Sequence, residues 1–518
     1  MRRCALRAAR CVTVRQLRST QRTALLLSIV IVACKRSDRP PAPSFAALFP
    51  PVTGALMTES SPDLADLDGD GVPDIVFGTG VDRTRPTGRH LVFTGQPEVS
   101  GYVVAVSGAT NKILWQVPNP RDAFTTPRFA RLSAAGAPAG APAVVMGGRE
   151  GVLTAYDGAT GAVKWRLLGE DVVRTPFPYY FLTPAIIGDV TGDGVPDLVD
   201  AYGGNDTRGP TEKRDPGFLV LVSGKDGRVL KAQPVPDSAE AYASPVTYRR
   251  KDGSEWVVFG TGGETMPGAA YRAPVASLLD GTFASRVERL VPTGTKGVIA
   301  PATVLDLNGD GELDLVISTF DGRLVAIDGA TGKPLWQRAD AKEETYHSAA
   351  VVRLGPDKLG LFVSRGMGAF PKYVGSVHRL FDARDGHEIY AYTDPNNPAG
   401  APLAVDLTGD GVDELIFSST QFPVSQGGRL HVLHLGSKKI AMHDVNGNFW
   451  CTPTIADPRK RGTLELIGLA WLAGPNGETA ARPDLTWQMV RLDLNAKTPA
   501  HRTWAAYMGT DTDGQYRP

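Results

Sequence analysis

Asp66-Leu67-Asp68-Gly69-Asp70-Gly71-Val72-Pro73-Asp74 is the stretch on which the reading of this chain turns. Carboxylates stand at its positions 1, 3, 5 and 9, and glycines at 4 and 6. Calcium is a hard cation that takes about 6 to 8 oxygen ligands, and a tight glycine-bearing turn with alternating acids supplies them. Position 7, Val72, contributes through its backbone carbonyl, which leaves its side chain free to be apolar. A helix-flanked calcium loop is excluded, because Ile75-Val76-Phe77 follows at once and Gly78-Thr79-Gly80 comes next. The loop reads as the tip of a β-hairpin.

The same nonamer returns as DVTGDGVPD at 189–197, DLNGDGELD at 306–314 and DLTGDGVDE at 406–414. The candidate ligands are therefore Asp66, Asp68, Asp70, Val72 and Asp74; Asp189, Thr191, Asp193, Val195 and Asp197; Asp306, Asn308, Asp310, Glu312 and Asp314; and Asp406, Thr408, Asp410, Val412 and Glu414. Four loops in one register predict four structural calcium sites. The first offers four side-chain carboxylates and the others three each, since Thr191, Asn308 and Thr408 fill position 3. Affinity rises with ligand charge, so the first loop is expected to bind tightest.

The chain has 518 residues and a formal net charge of zero, which hides an asymmetry. Residues 1–33 carry seven Arg and no acid, leaving 48 basic against 55 acidic residues in the remainder. A mildly acidic body argues against a nucleic-acid partner. Residues 24–33 are apolar but too short to span a bilayer, so 1–33 reads as a signal peptide. Its end, Ile31-Val32-Ala33-Cys34, resembles a bacterial lipobox, which implies lipidation at Cys34. Residues 34–51 are Pro-rich and charged and read as a tether. Lys35 after the cysteine implies, by the same resemblance, an outer-membrane lipoprotein, periplasmic or surface-exposed. Only Cys451 then remains in the body, so no internal disulfide is expected.

Each calcium loop follows a short apolar strand that opens on Ser61-Pro62, Thr183-Pro184, Ala300-Pro301 or Ala401-Pro402. The same punctuation recurs midway, at Thr126-Pro127, Ser244-Pro245, His347-Ser348 and Thr452-Pro453, giving eight starts. Within a unit come a short strand, a hairpin, an apolar strand such as DIVFGTG, a third strand such as GYVVAV, a tight turn and a last strand. Four-stranded units at this period predict an all-β chain: an eight-bladed β-propeller over 52–518, with seven blades as the alternative. Calcium loops fall in repeats 1, 3, 5 and 7 only. Repeat 8 keeps Asp457 and Glu465 but has Arg459 and Arg461 between them, so no metal is expected there.

The loops resemble FG-GAP/VCBS repeats. The third turns resemble PQQ-like (quinoprotein-type) repeats with their motif A-x-D-x-x-T-G-K-x-x-W, which Ala326, Asp328, Thr331, Gly332, Lys333 and Trp336 match throughout. Ala155, Asp157, Thr160, Gly161 and Trp165 match apart from the Lys, and the 105–115 turn has Asn111 for Gly. Tyr390 and Lys231 stand where Trp would. Such tryptophans pack between blades and are core rather than ligand contacts. Quinoprotein dehydrogenases characteristically carry an adjacent Cys pair; this chain has none, so no PQQ is expected.

No Ser-His-Asp pattern, zinc-type His cluster or phosphate-binding glycine loop stands out, and the eight His are scattered. Long insertions at 81–100, 203–217, 262–275, 366–376, 420–428 and 472–485 join second to third strands, on the face away from the calcium loops. Phe124, Phe181, Tyr242, Tyr346 and Trp450 precede the blade starts on that face. They form either a platform for a sugar or peptide, or an apolar plug. The expected function is a non-catalytic, lipid-anchored binding or scaffold protein of the bacterial cell envelope, partnered by an envelope protein or glycan. One alternative is an outer-membrane assembly scaffold. The other is a polysaccharide lyase, for which Arg83, Arg85, Arg89, Arg208, Arg272 and Lys372 lie on the insertions.

Overall fold

Asp74–Gly80 is buried along its whole length, as are Ala143–Met146, Asp197–Gly203 and Asp314–Ser318. A strand covered on both faces reads as a continuous apolar run rather than an alternation. The fourth strands differ: Ile113–Asn119 and Pro334–Ala339 turn most side chains to solvent and bury one tryptophan each. The computed structural model describes residues 45–518 apart from 57, 81–100, 134–139, 150, 175–178, 205–211, 341, 421–426, 448 and 473–485. In it the strands form eight separate antiparallel sheets. Blade 1 holds Asp63–Ala65, Asp74–Gly80, Gly101–Val106 and Ile113–Asn119 in that spatial order. Blades 2 to 7 follow over 128–168, 180–234, 246–292, 303–339, 343–394 and 397–445. The eight-bladed expectation holds and the seven-bladed alternative does not.

In blades 3, 6 and 7 the first strand is broken into two pieces, both paired with the second strand. Blade 8 has only three strands of its own, Thr454–Ala456, Thr463–Leu472 and Thr486–Lys497. Ala46–Ala47 and Val52–Ala55 complete it, pairing antiparallel with Thr486–Lys497. The ring therefore includes residues that the sequence reading placed in the tether. Phe49 lies under the guanidinium groups of Arg459 and Arg491, at 4.7 and 4.6 Å. No helix among the described residues is long and apolar enough to cross a membrane.

Neighbouring blades are tied by one recurring contact. The indole N–H of Trp115 donates to Gly158 O, that of Trp165 to Gly224 O and that of Trp336 to Ala383 O, at 2.8, 2.8 and 3.0 Å. Each acceptor lies in the third turn of the next blade. Gly161, Gly227 and Gly386 in those turns have positive φ, and a Cβ on any of them would sit 2.5–2.8 Å from the neighbouring blade's side chains, each tryptophan ring within 2.9 Å. The turn glycine thus serves both the backbone conformation and the ring above it. Blades 4 and 8 make the equivalent bond with arginine: Arg272 donates to Gly329 O at 2.6 Å and Arg491 to Gly108 O at 2.7 Å. Asn111 and Lys438 have positive φ in the third turns of blades 1 and 7 without being glycine, and in blade 1 the partner from blade 8 is Arg491.

Candidate functional site

The loop 66–74 is folded by its own carboxylates. Asp66 accepts from the N–H groups of Gly69 and Gly71 at 2.8 and 3.0 Å, Asp68 from Asp70 at 3.0 Å and Asp70 from Val72 at 2.8 Å. Asp74 is fully buried and accepts from Leu67 and Gly108 at 2.8 and 3.0 Å. Burial raises its carboxyl above the usual range, against the pull of those N–H groups. One oxygen from each of Asp66, Asp68 and Asp74 falls within 4.8 Å of the others, and among the described residues no other His, Cys, Asp or Glu group does this. Each carboxylate oxygen has two lone pairs; the Asp66 oxygens, Asp68 Oδ1 and Asp74 Oδ1 each accept one hydrogen bond and keep room for a cation, whereas Asp74 Oδ2 accepts two, from Leu67 and Asp68.

Loops 189–197 and 306–314 repeat the backbone pattern, with Asp189 and Asp306 each accepting from the glycines at positions 4 and 6. Those N–H groups, Gly194 first, hold the exposed Asp189 below the usual carboxylate range. The surroundings differ between loops. Lys225 stands 3.9 Å from Asp193. Lys251 donates to the carbonyl of Asp310, and the Glu312 side chain pairs with Arg250 at 3.0 Å. In 406–414, Glu414 is 3.3 Å from His434 Nδ1 and accepts from Leu407 at 2.7 Å. In blade 8, Arg491 holds Glu465 with two bonds of 2.8 Å, and Arg459 stands 3.4 Å away.

Position 9 does more than close its loop. Asp74, Asp197 and Asp314 accept from Gly108, Gly224 and Gly329 at 3.0, 3.1 and 2.8 Å. The carbonyls of these same glycines take Arg491, Trp165 and Arg272 from the preceding blades. One glycine therefore joins the loop of its own blade to the latch of its neighbour. A Cβ there would lie 1.8–2.0 Å from the carbonyl at loop position 8, so no other residue fits.

At the opposite end of the channel, Phe124 packs edge-on against Tyr180 at 5.9 Å, and Tyr180 lies tilted against Tyr242 at 5.7 Å. Arg149 lies 4.4 Å over Phe124 and pairs with Asp122 and, at 2.5 Å, with Glu59. Tyr346 meets Phe320 edge-on at 4.8 Å and hydrogen-bonds Glu264, whose carboxyl burial pushes up. Tyr373 donates to Glu344 at 2.9 Å, which also pairs with Lys296. Phe124, Tyr242 and Tyr346 are half-buried here, and Trp450 is exposed. Phe181 does not join these rings: it is fully buried against Tyr202 at 4.6 Å, and the ring between Phe124 and Tyr242 is Tyr180, itself buried. Arg272 is not a loop group either, but lies within Ala269–Pro274, buried and bonded to Glu288 at 2.7 Å. Lys372 is exposed. Arg83, Arg85, Arg89, Arg208 and Cys34 lie outside the described residues, as do 1–44 generally.

Two features have no counterpart in the sequence reading. Segment 501–518 runs along the innermost strands Thr303–Leu305, Leu403–Val405 and Thr454–Ala456, bonded to Val304, Ala404 and Ile455. His378 and His431, fully buried between blades 6 and 7, flank Phe417 at 4.1 and 4.7 Å. His431 Nε2 lies 3.0 Å from Ser419 Oγ and 3.1 Å from Asp394. Serine and aspartate meet the same ring nitrogen, so the imidazole does not relay between them as in a nucleophilic triad.

Residues 63–282, which run through blades 1 to 3 and most of blade 4, match the family described as the FAM234A/B beta-propeller. Protein FAM234B of Gallus gallus is 29% identical over 172 residues, covering 32% of this chain and 24% of that protein. The chain therefore matches about a quarter of the curated relative's length. That relative is an animal protein, and the expected role at a bacterial envelope on a lipid anchor, with its assembly-scaffold and lyase alternatives, gives way to this match. Among solved structures, a europium-containing methanol dehydrogenase superposes with a TM-score of 0.53 at 10% identity, covering 85% of this chain and 93% of its own. The quinohemoprotein alcohol dehydrogenase of Comamonas testosteroni gives 0.53 at 11% identity, covering 88% and 77%. At such identities the likeness extends to the fold alone. The chain is an eight-bladed β-propeller, similar over its first half to the FAM234 propeller and over most of its length to the rings of quinoprotein dehydrogenases.

Proposed function

We propose that the protein is a calcium-binding propeller whose ions sit in the first hairpins of blades 1, 3, 5 and 7, as in the FG-GAP/VCBS repeats that these loops resemble. The carrying observation is the convergence of Asp66, Asp68 and Asp74. These three would hold the ion, with Asp70 and the Val72 carbonyl as the remaining donors. When bound, calcium supplies charge neutralisation. The chain's own carboxylates position the loop, and Asp74 passes that order to Gly108 and so to Arg491 of the neighbouring blade. An ion that binds only the folded state at a hundredfold excess over Kd adds about 2.7 kcal/mol.

Calorimetric titration of the chelator-treated protein tests this reading. Calcium is expected to bind, to raise the unfolding temperature and to leave the β-rich circular dichroism unchanged. Asp66→Ala and Asp70→Ala should weaken the tightest site, whereas Asp410→Ala should touch only a weak one. Absence of binding, or a larger effect of Asp410→Ala, refutes it. The partly exposed rings Phe124 and Tyr242, bridged by the buried Tyr180, support a second proposal, a glycan ligand stacked at the opposite mouth. Tyr242→Ala should abolish any hit found for the wild type on a glycan array.

A further inference from the structure

Residues 501–518 belong to no blade, yet they are held by backbone hydrogen bonds to three innermost strands. Trp504 and Ala404 exchange both of their backbone bonds, each at 2.9 Å. Ile455 donates to Ala505 O at 2.8 Å. Val304 donates to Gly514 O and accepts from Tyr516, both at 2.8 Å. An innermost strand has one edge paired within its blade and the other facing the axis. An unpaired edge of this kind is a template for a further strand, and addition of an extended segment to such an edge is a general mode of peptide recognition.

Trp504 and Ala505 are fully buried, and Ala506, Met508, Thr512 and Thr503 nearly so. The wall meets the segment through side chains, with Thr503 donating to Asp413 at 3.1 Å and Tyr507 bonded to Ser244. It also meets the segment's backbone: Arg128 donates to Asp511 O at 3.0 Å. The segment in turn reaches wall backbone, with Gln515 donating to Thr247 O at 2.9 Å and Arg502 to Ile455 O at 2.8 Å. Beside it a cleft of about 400 Å³ stays open towards blades 2 to 4, lined by Ile186, Tyr248 and Met508 among others, so the segment does not fill the channel. Its covalent link to the ring runs through 498–500, where Thr498 and Ala500 are exposed.

We propose that the channel wall is a peptide-docking groove, that residues 501–518 occupy it in cis as a separable internal ligand, and that it accepts in trans an extended polypeptide carrying the same Trp-small-small step as Trp504-Ala505-Ala506. This rests on the edge pairing and the buried tryptophan, and is independent of calcium.

The test uses the full chain with a protease recognition sequence inserted between Pro499 and Ala500 and cut after folding. The probe is a fluorescein-labelled synthetic peptide of sequence 501–518, followed by anisotropy. The cut protein should keep its β-sheet signal and exchange its segment for the labelled peptide saturably. A Trp504→Ala peptide should bind about tenfold more weakly or worse, a scrambled peptide should not bind, and the uncut wild type should take up nothing. An uncut chain carrying Trp504→Ala, whose own segment is loosened, should also take up the labelled wild-type peptide. If the cut protein loses its β signal, if the labelled peptide binds neither the cut protein nor the Trp504→Ala chain, or if the scrambled peptide binds equally, the segment is an integral part of the ring and the proposal fails.

Discussion

His378 shows how one residue can set an acid limit on this fold. Its ring is fully buried, with Nδ1 2.9 Å from Ser364 Oγ and Nε2 3.1 Å from Ser376 Oγ. Burial first, and then the neighbouring His431, push its pKa down to about 3. The unfolded chain takes up the proton near pH 6.5 and the folded chain resists it. The stability contributed by the neutral ring is therefore complete above about pH 6.5 and is lost as pH falls towards 3. The slope within that window is about 1.4 kcal/mol per pH unit. Asp63 acts with the opposite sign: burial raises it to about 6, so its penalty fades as pH drops below that value. A bare pH profile mixes these with His347, which burial lowers to about 4, and Asp413, which burial raises to about 6, and a variant isolates the His378 ring. His378→Gln keeps a hydrogen-bonding side chain without the titration. Between pH 6 and 4 wild type should lose stability relative to this variant in urea unfolding, and parallel profiles would show that the ring does not govern acid sensitivity. At this scale the sequence was legible only in part. Asp74 was found because its spacing is fixed by its loop. The ring beside Phe124 was misplaced by one, at Phe181 instead of Tyr180, because successive strand residues face opposite sides and an irregular entry to the strand leaves that parity open.

Between blades, two chemistries make one bond, and they should fail differently. Trp336 fills the space above Gly386 and is buried on the apolar side of the outer strand. Trp336→Ala removes that volume as well as the bond to Ala383, and should cost about 3–5 kcal/mol. Arg272 is fully buried over the Trp256 ring, and its partner Glu288 is half exposed, so water can take up part of that partner's hydrogen bonding. Arg272→Lys keeps the charge but loses the fork that reaches Glu288 and Gly329 together, and should cost about 1–3 kcal/mol. The two latches lie on opposite sides of blade 5, so the double variant tests whether that blade transmits strain. Additivity within about 0.5 kcal/mol in denaturant midpoints is the expected outcome. A larger deviation would show that blade 5 couples its neighbours. The tryptophan latches were legible because ring, glycine and turn recur at fixed offsets. The arginine latches were not, since Arg272 and Arg491 lie on third strands and carry no motif of their own. Each stands alone in a mostly apolar strand, AAYRAP and WQMVRLDL, and its carbonyl partner lies in a neighbouring blade that no local pattern names.

The ring as a whole was legible from its eight starts, because proline and a small residue punctuate most blades. Its closure was not. Ala46–Ala47 lies in the Pro-rich stretch 34–51, whose composition describes a tether, and Val52–Ala55 stands at the expected start of the propeller before blade 1, yet both supply the outer edge of blade 8. The pairing joins residues more than four hundred positions apart, for example Val52 with Met489, and no local pattern encodes it. A propeller stabilised blade to blade has one place where the chain itself does not continue, and there the closing strand stands in for covalent connection. Gly54 is the residue that exposes this joint. It pairs with Trp487, and a Cβ at Gly54 would lie 2.5 Å from the indole carbons of that fully buried ring. Gly54→Val therefore lifts the closing strand off blade 8 without touching any loop carboxylate, at a cost of about 1–3 kcal/mol. Hydrogen exchange tells where that cost falls. If closure is local, protection should drop in Thr486–Lys497 and Thr463–Leu472 while Thr303–Leu305 and Asp314–Ser318, across the ring, keep theirs. If protection falls by the same factor in all eight blades, the ring opens only as a unit, and the closing strand then limits the stability of the entire molecule.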